Sequence, residues 1–180
     1  MANPNAEQSM LLNELRDFVL EVMRGMPEWV GANVEQLSTI RLGVLRKNAT
    51  QRHGVTRWRR GVDVNDLKPG DVDVIDLHPE LLASEWKAYS AFVLHHEYIH
   101  AFGLRAHDSS FRSLEASWPG SKAGQQGIKF TESLRRKRAS WLWCCSKCGR
   151  EYPRQKPSNG GYRCRTCDMK LIDRKITTLT

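Results

Sequence analysis

The chain has 180 residues, 40% of them hydrophobic, with 28 Lys/Arg against 20 Asp/Glu and a formal net charge of +8. That length suits one domain of ordinary size plus a small satellite. No run of eighteen apolar residues occurs, so no membrane partner is expected. The polar opening MANPNAEQSM also lacks the basic segment and apolar run of a secretory signal. The expectation is an intracellular protein, cytoplasmic or nucleoid-associated (nuclear in a eukaryote). Its five Cys would then be reduced and available to metal.

Residues 7–25 read as an amphipathic helix. Leu11, Leu12, Leu15, Phe18, Val19, Val22 and Met23 recur at intervals of three and four, a core stripe that Gly25 and Pro27 stop. Residues 39–46 alternate apolar side chains at Ile40, Leu42 and Val44 and predict a strand. The segment 46–60 carries six Lys/Arg, no acid, and Trp58 among arginines. Asn48 to Gly54 reads as a turn, with His53 in it, and 55–60 as the second strand. That strand either presents Arg57, Trp58 and Arg59 to phosphates and stacked bases, or turns Trp58 inward under an ordinary charged face. Lys68-Pro69-Gly70 is a turn, and residues 71–77 a third strand with Val72 and Val74 on one face. His78 reads as a cap or surface residue.

Ser84 reads as the N-cap of a helix over 85–102, with Trp86, Tyr89, Phe92 and Val93 towards the core. At its end stands His96-Glu97-Tyr98-Ile99-His100. Residues four apart share one helix face, so His96 and His100 can reach one zinc ion. Glu97 lies beside the first ligand, free to take a proton from water at the metal. The run AFVLHHEYIHAF is apolar enough to be buried, so its polar groups need partners. A catalytic zinc wants three protein ligands and one open position. Gly103 can end the helix and let the chain turn back. His107 is the leading third ligand, with Asp108 and Glu115 as weaker candidates. Asp108 can instead cap the next helix or orient a histidine. His95, a residue off the ligand face, reads as packed or supporting.

Residues 109–118 predict a helix with Phe111, Leu114 and Trp118 inward. Residues 121–130 read as a surface loop. A short helix over 131–139 ends in Arg135-Arg136-Lys137-Arg138, either a linker or a phosphate-contacting edge.

Cys145-x-x-Cys148 and Cys164-x-x-Cys167, with fifteen residues between the pairs, have the spacing of a four-cysteine structural zinc site. Gly149 would give the first knuckle its turn, and residues 157–161 form a hairpin tip. A module of about forty residues buries little core, so the metal would supply its folding energy. Cys144 is left over as a packed thiol, or replaces Cys145 in a looser pair. From Arg135 to Lys175 there are thirteen Lys/Arg and three Asp/Glu, a formal +10; the remainder holds fifteen against seventeen, a formal −2. Charge concentrated in this way points to a polyanion, most simply nucleic acid. Arg150, Arg154, Arg163 and Arg165, with Tyr152 and Tyr162, can set stacking rings beside phosphate-binding charges.

An N-terminal helix, a small sheet, the H-E-x-x-H helix, a later His with Phe111 four residues on, and a four-Cys ribbon together resemble the SprT-like zinc metalloprotease family, which includes Spartan. The resemblance covers nearly the whole chain. It implies an α+β, zincin-type metalloprotease domain over residues 1–138, with helices packed on a short β-sheet. A nucleic-acid-binding zinc ribbon over 139–180 would follow it. It also implies two zinc ions, one catalytic on His96, His100 and His107 with Glu97 as acid/base, and one structural on Cys145, Cys148, Cys164 and Cys167. The implied activity is DNA-dependent cleavage of proteins bound or crosslinked to DNA. The DNA would be single-stranded or distorted and held without base-specific reading. Two alternatives stand beside it: a non-proteolytic zinc-ribbon DNA-binding or transcription-associated protein, and a general zinc peptidase without DNA dependence. Members often carry Gly after the third His, where this chain has Asp108, and Spartan's long tail is absent. A metzincin would place the third His at position 106, which is Ala here, and would add a Met-turn.

Overall fold

A computed structural model describes residues 3–49 and 51–177. The chain forms two compact units, Met1–Gly127 and Ile128–Thr180. This division falls eleven residues before the sequence-based boundary, because the residues read as a helix over 131–139 group with the second unit.

The first unit opens with helix α1, Ala6–Arg24. Asn5 accepts the backbone N–H of Gln8 at 2.8 Å, and the Gln8 side chain accepts that of Asn5 at 3.1 Å. This reciprocal cap satisfies two donors that the first turn would otherwise leave open. The buried stripe is Leu12, Leu15, Val19, Leu20 and Met23. Phe18, expected in the stripe, is 47% exposed, and Leu20 takes the inward position instead.

Three strands follow: β1 (Leu42–Val44), β2 (Gly54–Trp58) and β3 (Val72–Leu77). They order as β1-β3-β2, with β1 parallel and β2 antiparallel to the central β3. Segments β1 and β2, neighbours in sequence, therefore lie on opposite edges. β3 is buried on both faces; only Asp73 is exposed, so the expected one-sided pattern covers just its first half. Asp76 is buried within it, and its Oδ2 takes the Nε–H of Arg57 at 2.7 Å. Between Arg57 and Trp58 the register of β2 shifts, which re-aims Trp58.

Helix α2 (Lys87–Ala101) packs on α1, β2 and β3. Ser84 does not cap it. Ser84–Trp86 form a separate 3-10 turn that leads into the helix, and Trp86 holds the N-cap position without a side-chain bond. Gly103 ends the helix region at φ +94, as the sequence predicts, and a Cβ there would meet the Leu67 carbonyl oxygen at 2.7 Å. Helix α3, Ser109–Ala116, follows. The core gathers Leu12, Val19, Met23, Leu37, Ile75, Leu77, Leu94, Tyr98, Ile99 and Phe111, each at most 2% exposed.

Helix α4 (Gln126–Lys137) begins five residues before the predicted helix, inside the segment read as loop. Its buried side chains are Phe130 and Leu134. In the second unit β4 (Trp141–Cys144) is central, flanked by β5 (Glu151–Arg154) and β6 (Ile172–Lys175), all antiparallel. Asp173 holds the 157–161 tip by accepting the backbone N–H groups of Ser158 and Asn159 at 2.7 and 2.8 Å.

Candidate metal centres

The last two turns of α2 carry His96, Glu97 and His100 on a buried element. Past Gly103 the chain returns so that His107 meets both ligands. Its Nε2 lies 3.3 Å from Nε2 of His96 and 3.1 Å from Nε2 of His100. Tetrahedral nitrogen ligands on zinc at about 2.0–2.1 Å stand about 3.3 Å apart. The three nitrogens thus have the mutual spacing of a metal's ligand set.

Each helical histidine is fixed through its other nitrogen. His96 Nδ1 donates to Oε1 of Glu115 at 2.7 Å, and His100 Nδ1 donates to the Leu104 carbonyl at 2.7 Å. These bonds set the tautomer that leaves Nε2 for a metal. Burial pushes the His96 pKa down to about 4 and lowers that of His100, so both stay neutral at neutral pH. Phe111 lies beneath, fully buried, with its ring 4.6–4.8 Å from all three imidazoles. Asp108 caps α3 through the Phe111 N–H at 3.0 Å, from an extended backbone (φ −76) that needs no glycine.

Glu115, held open as a ligand, is instead shared between His96 and Arg112, whose Nη1 reaches Oε2 at 2.7 Å. Asp108 is likewise a cap. His95 is fully buried, against Trp29 at 5.8 Å and Trp118 at 4.7 Å between ring centres. His78 is also buried, and its Nδ1 caps the N–H of Glu80. His53 lies 2.6 Å from the Tyr89 hydroxyl.

Glu97 is 4% exposed, and burial raises its pKa to about 7. The Thr56 hydroxyl opposes this by donating to its Oε2 at 2.7 Å. Gly54 lets the carboxylate lie against β2, since a Cβ there would fall 2.6 Å from Oε1. Glu97, the three histidines, Thr56 and Trp58 line an open cleft of about 430 Å³, with Arg52 and Arg105 beside them. Thr56 and Arg105 were given no role from the sequence, and Gly54 only that of a turn residue; tertiary packing brings Thr56 and Gly54 to α2, while Arg105 lies between α2 and His107.

The second cluster joins Cys145, Cys148, Cys164 and Cys167. Two equivalent knuckles carry them: Cys145 O accepts the N–H of Gly149, and Cys164 O that of Asp168, both in left-handed conformations. Sulfurs lie 3.3 Å apart for Cys145 and Cys167, and 3.6 Å for Cys148 and Cys164. The ideal for four thiolates on zinc is about 3.8 Å. The Tyr152 hydroxyl pulls the Cys164 thiol down to about 5, while the neighbouring Cys145 sulfur pushes Cys167 up to about 12. Four crowded sulfurs cannot all ionise alone; a cation among them would remove that conflict. Both clusters could hold a metal ion, in keeping with zinc.

Four curated proteins match the chain, and all are named SprT-like. One from Streptococcus equi subsp. zooepidemicus (strain H70) is 26% identical over 105 residues, 54% of this chain and 68% of that protein. One from Lactococcus lactis subsp. lactis (strain IL1403) is 31% identical over 104 residues, 54% of this chain and 65% of that protein. These matches support membership of the SprT-like family. No family model matches it, and no solved structure matches it significantly.

The residues read as nucleic-acid contacts have varied settings. Arg57 is paired with Asp76, Trp58 lies in the cleft, and Arg59 is exposed. Arg135, Arg136, Arg150, Arg154 and Arg165 converge with Tyr152 around a hollow of about 780 Å³ in the second unit. Arg154 also lies over the Trp143 ring at 4.8 Å. Arg138 and Arg163 are exposed, and Arg163 pairs with Asp168 at 2.9 Å. Tyr162, 55% exposed, stacks on Trp143 at 4.3 Å. Cys144 is half-buried, and its thiol lies 3.7 Å from the Leu142 carbonyl. Among the described residues, no helix is long and apolar enough to cross a membrane.

Proposed function

We propose that this chain is a DNA-dependent zinc metalloendopeptidase that cuts proteins bound or crosslinked to DNA. Its first unit is a zincin-type catalytic domain and its second a zinc ribbon that holds single-stranded or distorted DNA. The observation that carries the reading is Glu97: a buried carboxylate beside three convergent imidazoles, facing an open cleft. A structural site has no need of that carboxylate.

His96, His100 and His107 would hold the catalytic ion; Cys145, Cys148, Cys164 and Cys167 would hold the structural one. Zinc at the histidines would supply a Lewis acid that polarises a carbonyl and acidifies water. The chain's own residues carry the proton. Glu97 takes it from the attacking water and delivers it to the leaving amine as the C–N bond breaks. Thr56 holds the Oε2 of Glu97, which fixes the orientation of the carboxylate. Glu115 and the Leu104 carbonyl hold the imidazoles. β2 is an edge strand beside the cleft, so an extended peptide can add to its free edge with its scissile bond near Glu97. The cluster of five arginines around the second unit's hollow supports DNA binding through phosphates, with Tyr152 available for stacking.

The test is proteolysis of a DNA-bound basic protein, with and without single-stranded DNA, by wild type and Glu97→Gln. Cleavage that requires both DNA and Glu97 supports the proposal. The substitution should lower the rate by about 10²–10⁴-fold with zinc retained. Cleavage indifferent to DNA leaves a general zinc peptidase. No cleavage with two zinc ions bound leaves a non-proteolytic DNA-binding protein.

A further inference from the structure

The guanidinium groups near the three imidazoles are of two kinds. Arg57 is spent on the buried Asp76 and Arg112 on Glu115, each at 2.7 Å. Arg52 and Arg105 are exposed and line the cleft itself, and among the described residues neither pairs with an acid. Glu97 is the one acid among the described residues that line this cleft. Arg105 stands on the turn that joins the candidate ligands. The Leu104 carbonyl before it accepts from His100 Nδ1 at 2.7 Å, and His107 after it meets both helical imidazoles. Gly103, at φ +94, lies close against the Leu67 carbonyl. The backbone under Arg105 is therefore held on both sides.

The role of Glu97 decides how a peptide must lie. Glu97 takes a proton from the attacking water and gives it to the leaving nitrogen, so both of those atoms lie within its reach. The carbonyl oxygen on the same carbon must then point away from Glu97. As the water oxygen bonds to that carbon, the π pair moves onto the carbonyl oxygen. The oxygen stays negative until the C–N bond breaks, the pair returns and the amine leaves with its proton. Resting on the peptidase reading above, we propose that Arg105 donates to this oxygen and holds its charge. Arg105 lines the cleft with His100 and His107 and is absent from the hollow that runs back from Glu97 along α2. Arg52 lines both, which places it on the side of the leaving amine. The other donors are spent or weaker. The Thr56 hydroxyl is given to Glu97, and the Trp58 indole N–H is neutral. The backbone N–H groups on the β2 edge are taken by an extended peptide. An unpaired guanidinium on a fixed turn needs little reorganisation when charge appears, and a peptide laid over the cleft removes the water that screens it.

The experiment uses the full chain, zinc-loaded, with single-stranded DNA and a cleavable peptide. Arg105→Ala should lower kcat by about 10²-fold or more and leave KM within about threefold. Arg105→Lys keeps the charge without the planar fork and should retain about tenfold more activity than Arg105→Ala. Free guanidinium ion should raise the rate of Arg105→Ala by about tenfold and leave wild type unchanged. Binding gives an independent readout. A phosphinic peptide, whose tetrahedral phosphinate carries charge where the oxygen would, should bind Arg105→Ala about 10²-fold more weakly than wild type. The uncleaved peptide should bind Glu97→Gln equally with and without Arg105→Ala, and chelator competition should show zinc affinity unchanged. A raised KM with kcat intact makes Arg105 a contact to the resting substrate and overturns the assignment. Unchanged phosphinic-peptide affinity overturns it too, whether Arg105→Ala weakens DNA binding or not. A loss of activity that follows zinc affinity marks a disturbed turn and overturns it. A loss of kcat in Arg52→Ala that Arg105→Ala does not share moves the role to Arg52 and overturns it. Each of these leaves the peptidase reading standing. No cleavage by wild type overturns that reading, and the assignment falls with it.

Discussion

The three imidazoles around His96 rest on Phe111 and on bonds from Glu115 and Leu104, all within a unit whose core spans α1, the sheet and α2. The four thiols of the second unit rest largely on each other. The buried cluster there is Trp143, Cys145, Cys164 and Leu171, with Tyr152 and Cys167 packed against it, so half of its buried members are themselves candidate metal ligands. The first centre is a site that a finished fold presents to an ion. The second is a fold that an ion would complete. A preformed centre can spare an open coordination position for chemistry, whereas a centre that uses its ion as core closes all four.

Replacing single residues sharpens this contrast. The largest effect is expected from Cys164→Ser. Structural zinc contributes about 10–16 kcal/mol in small zinc modules, so the second unit should lose its amide dispersion in NMR while α1 and α2 keep theirs. Next comes Phe111→Ala, which should lower the unfolding free energy of the first unit by about 3–5 kcal/mol in urea titration and loosen the imidazoles. Glu115→Gln comes third. It should weaken metal binding at the histidines by about 10–100-fold in chelator competition. Unfolding of the first unit should change by about 1 kcal/mol or less. If Glu115→Gln unfolds that unit, the contrast fails.

Thr56→Val should have the smallest effect. The Thr56 hydroxyl favours ionised Glu97, so its loss raises the Glu97 pKa. Less of the base is then ionised at a given pH. The acid side of the activity profile should move to higher pH, read from kcat/KM across pH 5 to 8. An unmoved profile would remove Thr56 from the mechanism.

The parts legible in the sequence are those set by local spacing. His96 and His100 share a helix face by periodicity alone, Gly103 marks the helix end, and the C-x-x-C pairs announce their knuckles. His107 was legible because Gly103 and Asp108 bracket a return of the chain. What stayed hidden depends on contacts distant in sequence. Glu115 carries no local mark that separates an orienting carboxylate from a ligand; only the packing of α3 on α2 decides it. Thr56 meets Glu97 because β2 is the edge strand next to α2, and the order β1-β3-β2 cannot be read from three short apolar runs. The early start of α4 was masked by Gly124 and Gly127, which look like loop residues. A Cβ at Gly127 would lie 2.8 Å from the Tyr89 hydroxyl, so packing rather than turn chemistry accounts for that glycine.

A zinc titration of the metal-free full chain tests the contrast most directly. Amide dispersion of residues 6–24, 87–101 and 141–175 and peptide cleavage would be followed in the same samples. One equivalent should order 141–175, and the other should bring cleavage, while 6–24 and 87–101 stay folded throughout. If α1 and α2 gain their structure only with the equivalent that brings cleavage, the first centre is not preformed and the account is wrong.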